Sequence, residues 1–380
     1  MSIYRETWVE VDLDAIYHNV SLIKRIHSQK ALFTVVKANA YGHGDVEVAK
    51  TALEAGSDVL AVSSLDEAMN LRQSGIEAPI LVLGMTRLKD VFVAAKNKIS
   101  LTAHDELWIN ELLDLNLTAP LSVHLKLDTG MHRLGLLTKE VVSKNFKRLN
   151  DAPNILVEGI FTHMATADND ETYFKSQLNQ FEMLIEGLPL SDVKYVHLSN
   201  TATLLQHQFS FDHAVRLGLG TYGLNPDDAY ISFEHELKPA LSLYSRLVQV
   251  KKINKGDKVG YGATYEAINE EWIGVVPIGY ADGWIRAHQG RCVVIEGHEC
   301  EIVGRICMDQ MMVRLPYEMK MGTKVTLIGK SMSAQRIANE LKTISYEVLC
   351  LISDRVPRLY RRHNEITTVR KMRFDHGQFE

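Results

Sequence analysis

A chain of 380 residues with 46% hydrophobic and 23% charged residues is long enough for two domains and has the composition of an ordinary globular protein. Its 42 Lys+Arg against 47 Asp+Glu leave a net charge of −5, which gives no basic surface for nucleic acid or for an anionic membrane. No run of about 18 apolar residues marks a membrane span, and small-molecule chemistry is the expectation.

The opening MSIYRETWVEVDLDAIYHNV alternates apolar and acidic residues where a signal peptide would carry an apolar core, so a cytoplasmic protein is expected. An amphipathic segment at 13–27 precedes FTVVK, the first of a series of β-rich runs. From there one grammar repeats: short strand, polar turn, amphipathic helix, often a glycine stop. FTVVK leads into DVEVAKTALEAG, DVLAV into LDEAMNLRQSG, PILVLG into RLKDVFVAAKN, ISLTA into DELWINELLD, and LSVHLKLD into TKEVVSKNFKRLN. NILVEGIFTH, VKYVHLS and HAVRL complete eight strand candidates. Eight strands alternating with helices predict an α/β fold, a (β/α)8 TIM-like barrel, with a doubly wound sheet as the alternative. Beyond about residue 238 the strands are joined by Gly- and Asp-containing turns, which predicts a second, mainly β domain. Its four cysteines, at 292, 300, 307 and 350, form no CxxC pair and no zinc spacing, and are expected to be reduced, mostly core thiols with no metal.

Polar residues gather at the ends of the barrel strands, where active sites of such barrels lie. They are Lys37 and Tyr41, Lys126 and Asp128 leading to Arg133, His163, Asn200 with Thr201, and Arg216. A single lysine of this kind is commonly a surface residue with a buried stem; desolvated at a strand end, it can form a Schiff base. In SVHLKLD, Ser122, His124, Lys126 and Asp128 share one strand face, as expected of a polar interior. GLGTYG at 218–223 matches a dinucleotide fingerprint, but it follows the last strand and runs into Asn225-Pro226 where that fold requires a long helix. After the seventh and eighth strands a barrel commonly holds phosphate, and Asn200-Thr201 with Gly218-Leu219 are placed to do so. A phosphate site with a Schiff-base lysine suggests pyridoxal 5'-phosphate.

VVKANAYGHG, HLKLDTGMHRLG, FTHMATAD, VRLGLGTYGL, VGYGATY, IGYADG and GRICMDQ, in this order between Trp8 and Arg362, closely resemble the bacterial alanine racemases. The resemblance implies a barrel over 12–237 and a β domain over 238–380 that an N-terminal strand at 1–11 joins. It implies a cytoplasmic homodimer acting on L- and D-alanine, supplying D-alanine for peptidoglycan, with active sites shared between subunits and no nucleic acid or membrane as partner. It gives Lys37 the Schiff base with pyridoxal 5'-phosphate. Tyr41, Thr201, the backbone of Gly218 and Leu219, and Tyr346 hold the phosphate, and Asn200 lies in the same cofactor site. Tyr261 is the second catalytic base, supported by His163 and Arg216, with Arg216 facing the pyridine nitrogen. Arg133 and the backbone of Met308 bind the substrate carboxylate, and Asp309 orients the site. Lys126 is carbamylated in many members; the alternative is an ordinary lysine paired with Asp128.

Two positions depart from the family. His132 stands where glycine is frequent, and Thr201 where serine is frequent, keeping the hydroxyl. A decarboxylase on the same scaffold and a cofactor-carrying protein without activity are the competing functions. Arg216 and GRICMDQ speak against the first, and a C-terminal domain containing Tyr261 speaks against the second.

Overall fold

The computed structural model describes residues 3–226 and 231–371. Residues 372–380 of the expected C-terminal domain and the first two of the N-terminal strand lie outside them. Two compact units form: one contains Ala15–Ala40 and Asp45–Pro239, the other residues up to Asp14, Tyr41–Gly44, and the chain from Ala240 onward.

After a first strand, β1 (Thr7–Asp12), eight strands make up the barrel unit. They are β2 (Ala31–Val35), β3 (Val59–Val62), β4 (Ile80–Val82), β5 (Ile99–Ala103), β6 (Leu121–Lys126), β7 (Ile155–Phe161), β8 (Tyr195–His197) and β9 (Ala214–Leu217). Each neighbour is parallel, and β2 pairs with β9 to close the cylinder, which removes the open doubly wound alternative. All eight overlap the strand candidates of the sequence, but the first runs from Ala31 to Val35, so Lys37 lies in the following turn and not on the strand end expected from FTVVK. Most strand residues are buried, the pattern of strands covered on both faces.

Local signals start the helices between them. Ser64 and Glu67 form a reciprocal capping box on Leu65–Gln73, and Asp105, Thr138 and Asp170 each cap the helix that follows. Inside the barrel, Phe33, Val59, Leu81, Tyr195 and Ala214 form one buried cluster, with the Tyr195 ring edge-on to Phe33 at 5.0 Å.

The second unit is built on a ten-stranded sheet. β1 pairs antiparallel with β10 (Leu241–Arg246), as a strand joining from the N-terminus should, and its other edge is parallel to Arg358–Arg362. Glycines shape the 41–44 turn of this unit. A Cβ on Gly42 would sit 2.4 Å from the Leu349 carbonyl oxygen, and one on Gly44 would collide with the Tyr360 hydroxyl at 1.7 Å; both residues have positive φ. The expectation of mostly core thiols is corrected: Cys300 is buried, Cys292 and Cys307 are half-buried and Cys350 is exposed, because only Cys300 falls on a core-facing strand position.

Candidate active site

The barrel unit and the β unit each carry part of the residue set. In the barrel, β2 ends at Val35 and Lys37 opens the next turn. Ala38, Asn39 and Ala40 then take left-handed backbone angles, with φ of 52°, 54° and 52°. Non-glycine residues pay about 1–2 kcal/mol each for this conformation, so surrounding bonds must fix it. The Ala38 N–H donates to Glu67 Oε1 at 2.8 Å, Ala40 donates to the Val36 carbonyl at 3.0 Å, and Asn39 Oδ1 accepts from the Asp45 N–H at 3.1 Å. The half-buried Lys37 is thus carried on a strained, over-determined turn.

Arg216, on β9, is 2% exposed, and both terminal nitrogens of its guanidinium are engaged with acceptors. Its guanidinium donates to His197 Nδ1 at 2.7 Å, to the carbonyls of Thr162, Leu198 and His197 at 2.9, 3.1 and 3.2 Å, and to His163 Nδ1 at 3.3 Å. None of these is a carboxylate. Burial lowers the guanidinium to about 9, opposed by Asp212, so it remains charged near neutrality.

His163 is held well below the usual imidazole range by burial first and then by Arg216, Lys126, Arg133 and Lys37, and so is neutral. Lys126, buried with its ammonium 4.7 Å from the centre of the Phe161 ring, is depressed well below the usual lysine range by burial, Arg216 and Arg133, with Asp128 opposing. Arg133 itself is exposed. Around the neutral His163 lie Arg216, Arg133 and Lys37, with Lys126 pushed toward its neutral amine, an environment that favours anionic groups.

Asn200 and Thr201 begin a short helix, Thr201–Gln206. Asn200 Oδ1 caps it by accepting from Thr203, and its amide donates to the Met164 carbonyl at 3.1 Å, so this side chain secures the turn. Thr201 Oγ1 accepts the Gly218 N–H at 2.9 Å, leaving the hydroxyl proton to be donated. Gly218 and Leu219 begin the turn that ends in Tyr222, whose hydroxyl donates to the Val35 carbonyl at 2.8 Å and ties this turn to the end of β2.

In the β unit, Tyr41 is buried with its ring 5.8 Å from that of Tyr346. Burial, then Tyr346 and Cys350, raises its phenol above the ordinary tyrosine value, so it stays a hydrogen-bond donor. Tyr261 begins a tight turn flanked by two positive-φ glycines, Gly260 and Gly262, and is 72% exposed. Met308 is 53% exposed, and an open cleft of about 540 Å³ beside Tyr261 is lined by Lys251, Lys258, Cys307, Gln310 and Met312 among others. Asp309 accepts from Arg355 at 2.8 Å; Arg355 lies 3.6 Å from the buried Asp282, which also accepts from Arg5 at 2.6 Å. This ionic chain fixes the loop that carries Met308 and Asp309.

Several supports escaped sequence reasoning. His197 links Arg216 to His124, the one member of this row that strand parity had placed on the polar face (2.9 Å between His197 Nε2 and His124 Nδ1), Glu67 anchors the Lys37 turn, and the buried Gln177 bridges the Ala165 N–H at 2.7 Å and the His163 carbonyl at 3.3 Å. Glu67 and Gln177 had no signal in the sequence beyond helical spacing.

Residues 11–226 match the family model described as alanine racemase, N-terminal domain, and residues 240–360 the one described as alanine racemase, C-terminal domain. The chain is 49% identical to the alanine racemase of Geobacillus stearothermophilus, over 97% of this chain and 96% of the relative. It is 48% identical to that of Anoxybacillus flavithermus, over 97% and 98%. The crystal structure of alanine racemase from Bacillus anthracis with bound L-Ala-P superposes with a TM-score of 0.92 at 45% identity, covering 97% of this chain and 98% of that one. Two family models spanning both units, and relatives near half identity along almost the whole length, place the chain in the alanine racemase family.

Proposed function

We propose that the chain interconverts L-alanine and D-alanine with pyridoxal 5'-phosphate as its cofactor, working in the cytoplasm as a homodimer to supply D-alanine for peptidoglycan. The observation that carries this reading is the barrel mouth, where a buried Arg216 bonded to neutral His163 lies amid Lys37, Lys126 and Arg133. A phosphorylated cofactor and a substrate carboxylate complement that charge, and Tyr41 and Thr201 offer donors for the phosphate.

Bound cofactor supplies an aldehyde for Schiff-base chemistry and a ring that spreads the charge left at the substrate Cα. Lys37 would hold the cofactor through its amine, and its Nζ would take or return a proton on one face of the substrate. Tyr261 of the partner chain serves the other face through its phenolic oxygen. A tyrosine titrates near 10 in isolation, so a basic phenolate needs stabilising cations and donors; His163 backed by Arg216 is the pair for this. Arg216 keeps its proton near neutrality, so facing the ring nitrogen of bound cofactor it would donate a hydrogen bond and favour an unprotonated ring, which would restrain side reactions. Arg133 and the Met308 amide would bind the substrate carboxylate, with Asp309 orienting the Met308 loop, and Tyr41, Tyr346 and the Gly218-Leu219 turn would hold the phosphate. A carbamate on Lys126 fits its buried surroundings: the neutral amine favoured there would form a C–N bond to carbon dioxide and release one proton from nitrogen, and the resulting anion would be attracted by Arg216 and Arg133.

Incubation of purified protein with L-alanine tests this. Loss of optical rotation without carbon dioxide is the expected result. Gas evolution indicates a decarboxylase, and neither change indicates a carrier. Lys37→Ala should abolish both the activity and the cofactor adduct fixed by borohydride.

A further inference from the structure

Inward from Arg216, the barrel axis holds a row of polar side chains that the reaction above does not use. His197 Nε2 meets His124 Nδ1 at 2.9 Å, and His124 Nε2 meets Glu158 Oε2 at 3.4 Å. Glu158 also accepts from Ser100 at 2.7 Å and lies 3.6 Å from Lys194. Arg216, His197 and His124 are each at most 2% exposed. Phe161 lies flat on the His197 ring at 4.7 Å and Tyr195 on the His124 ring at 5.9 Å, so aromatic faces enclose the row.

Donor chemistry gives the row one direction. A guanidinium only donates, so His197 Nδ1 accepts and its proton sits on Nε2. That N–H is then given to His124 Nδ1, whose own proton sits on Nε2 and faces the Glu158 carboxylate. A proton on Nδ1 of either ring would set two donors against each other in a buried space. The row also requires a gap in β7. A Cβ on Gly159 would lie 2.3 Å from His124 Nδ1, so only glycine lets the His124 ring cross that strand to reach His197.

We propose that Glu158 is a positioning residue for Arg216: through the His124–His197 row its carboxylate fixes both ring tautomers and holds His197 Nδ1 as an acceptor against the guanidinium, with Gly159 as the crossing point. Every hydrogen stays on its donor and no proton travels along the row. The effect on catalysis rests on the reading that Arg216 faces the cofactor, whereas the tautomers do not.

Long-range proton–nitrogen NMR of holoenzyme labelled at histidine nitrogen tests this near neutral pH. Both rings should be neutral and protonated on Nε2; a cationic ring or one protonated on Nδ1 at either position overturns the proposal. Glu158→Gln keeps the size and an acceptor oxygen but removes the charge, and Gly159→Ala keeps the charge but displaces the His124 ring. In each, the His197 Nδ1 resonance should move and kcat should fall about tenfold while KM stays within about twofold, the scale of a coupling through intervening groups. A folded Glu158→Gln enzyme with the wild-type His197 resonance and kcat overturns the proposal, and that variant decides alone if Gly159→Ala fails to fold. The spectra are read whatever reaction the holoenzyme catalyses, so failure of the racemase reading and failure of this one are distinguishable.

Discussion

Glu67 accepts the backbone N–H of Ala38 at 2.8 Å, joining the start of one helix to the left-handed turn that carries Lys37. The same carboxylate accepts from Ser63 at 2.6 Å and closes the capping box with Ser64. Glu67→Ala should therefore lower the unfolding free energy by about 1–2 kcal/mol, a cap and one solvent-exposed charged bond. It should also lower kcat, because the turn then relaxes toward ordinary backbone angles. Glu67→Gln retains an acceptor oxygen and should restore most of both. Urea unfolding and alanine racemisation of the two variants check this; an alanine variant with wild-type values in both would disconnect Glu67 from Lys37.

His132, the residue before Arg133, has a φ of 53°, the region that favours glycine. Asp128 accepts its backbone N–H at 3.0 Å, whereas its ring stands 3.6 Å from that carboxylate and is 72% exposed. The amide makes the closer contact and glycine keeps it. Relief of left-handed strain in His132→Gly is offset by the greater freedom of glycine in the unfolded chain, so stability should change by less than about 0.5 kcal/mol and alanine KM should hold. A large rise in KM would assign the imidazole a part in orienting Arg133.

All eight barrel strands were legible because each is a short β-rich run set off by turn residues, and five of them lead into a helix with a side-chain cap, from Ser64, Asp105, Thr138, Asp170 and Asn200. The left-handed turn was not, since alanine is a poor residue for positive φ and the bonds that fix it, to Glu67, Asp45 and Val36, leave no sequence pattern. Helix Glu171–Ile185 has a capping Asp170 and buried Phe174, Phe181 and Leu184, yet its exposed Tyr173 and Met183 blur the apolar stripe. Strand parity gave His124 an inward face. It could not give His197 as partner, because that contact spans 73 positions and crosses a register shift between Val123 and His124 in the β6–β7 pairing. For the candidate site, motif resemblance supplied positions that spacing alone left open, above all Tyr261 and Tyr346.

His288 is buried and stacked on Trp284 at 3.8 Å, and its pKa is lowered from 6.5 to about 4 by burial and then by Arg291. Its folded form refuses a proton that the unfolded chain accepts. The stabilising contribution is therefore complete above about pH 6.5 and is lost as pH falls from there toward 4, which amounts to about 2.5 kcal/mol near pH 4.5. His288→Phe keeps the stacking and removes the titration. Its urea-unfolding free energy should fall less between neutral pH and pH 4.5 than that of the wild type, by about that amount. Equal losses in the two proteins would mean that His288 is not a source of acid sensitivity.

Lys37 belongs to the barrel unit and Tyr261 to the β unit, and Tyr261 is exposed beside an open cleft. A catalytic phenolate needs shelter from water and stabilising groups around it, which a second copy of the chain can supply by covering Tyr261 with its own barrel mouth. A two-fold dimer then contains two equivalent composite sites, each with Lys37 from one protomer and Tyr261 from its partner. Lys37→Ala and Tyr261→Ala should each be inactive alone. When equal amounts are mixed under conditions that exchange subunits, half the dimers combine the two variants, and in those one site inherits both defects while the other inherits neither. Half the sites in half the dimers are intact, so about a quarter of the wild-type activity should return. If both bases came from one chain, every site would keep a defect. Exchange demonstrated by mass labelling with no return of activity would then overturn the shared site while leaving the racemase reading intact.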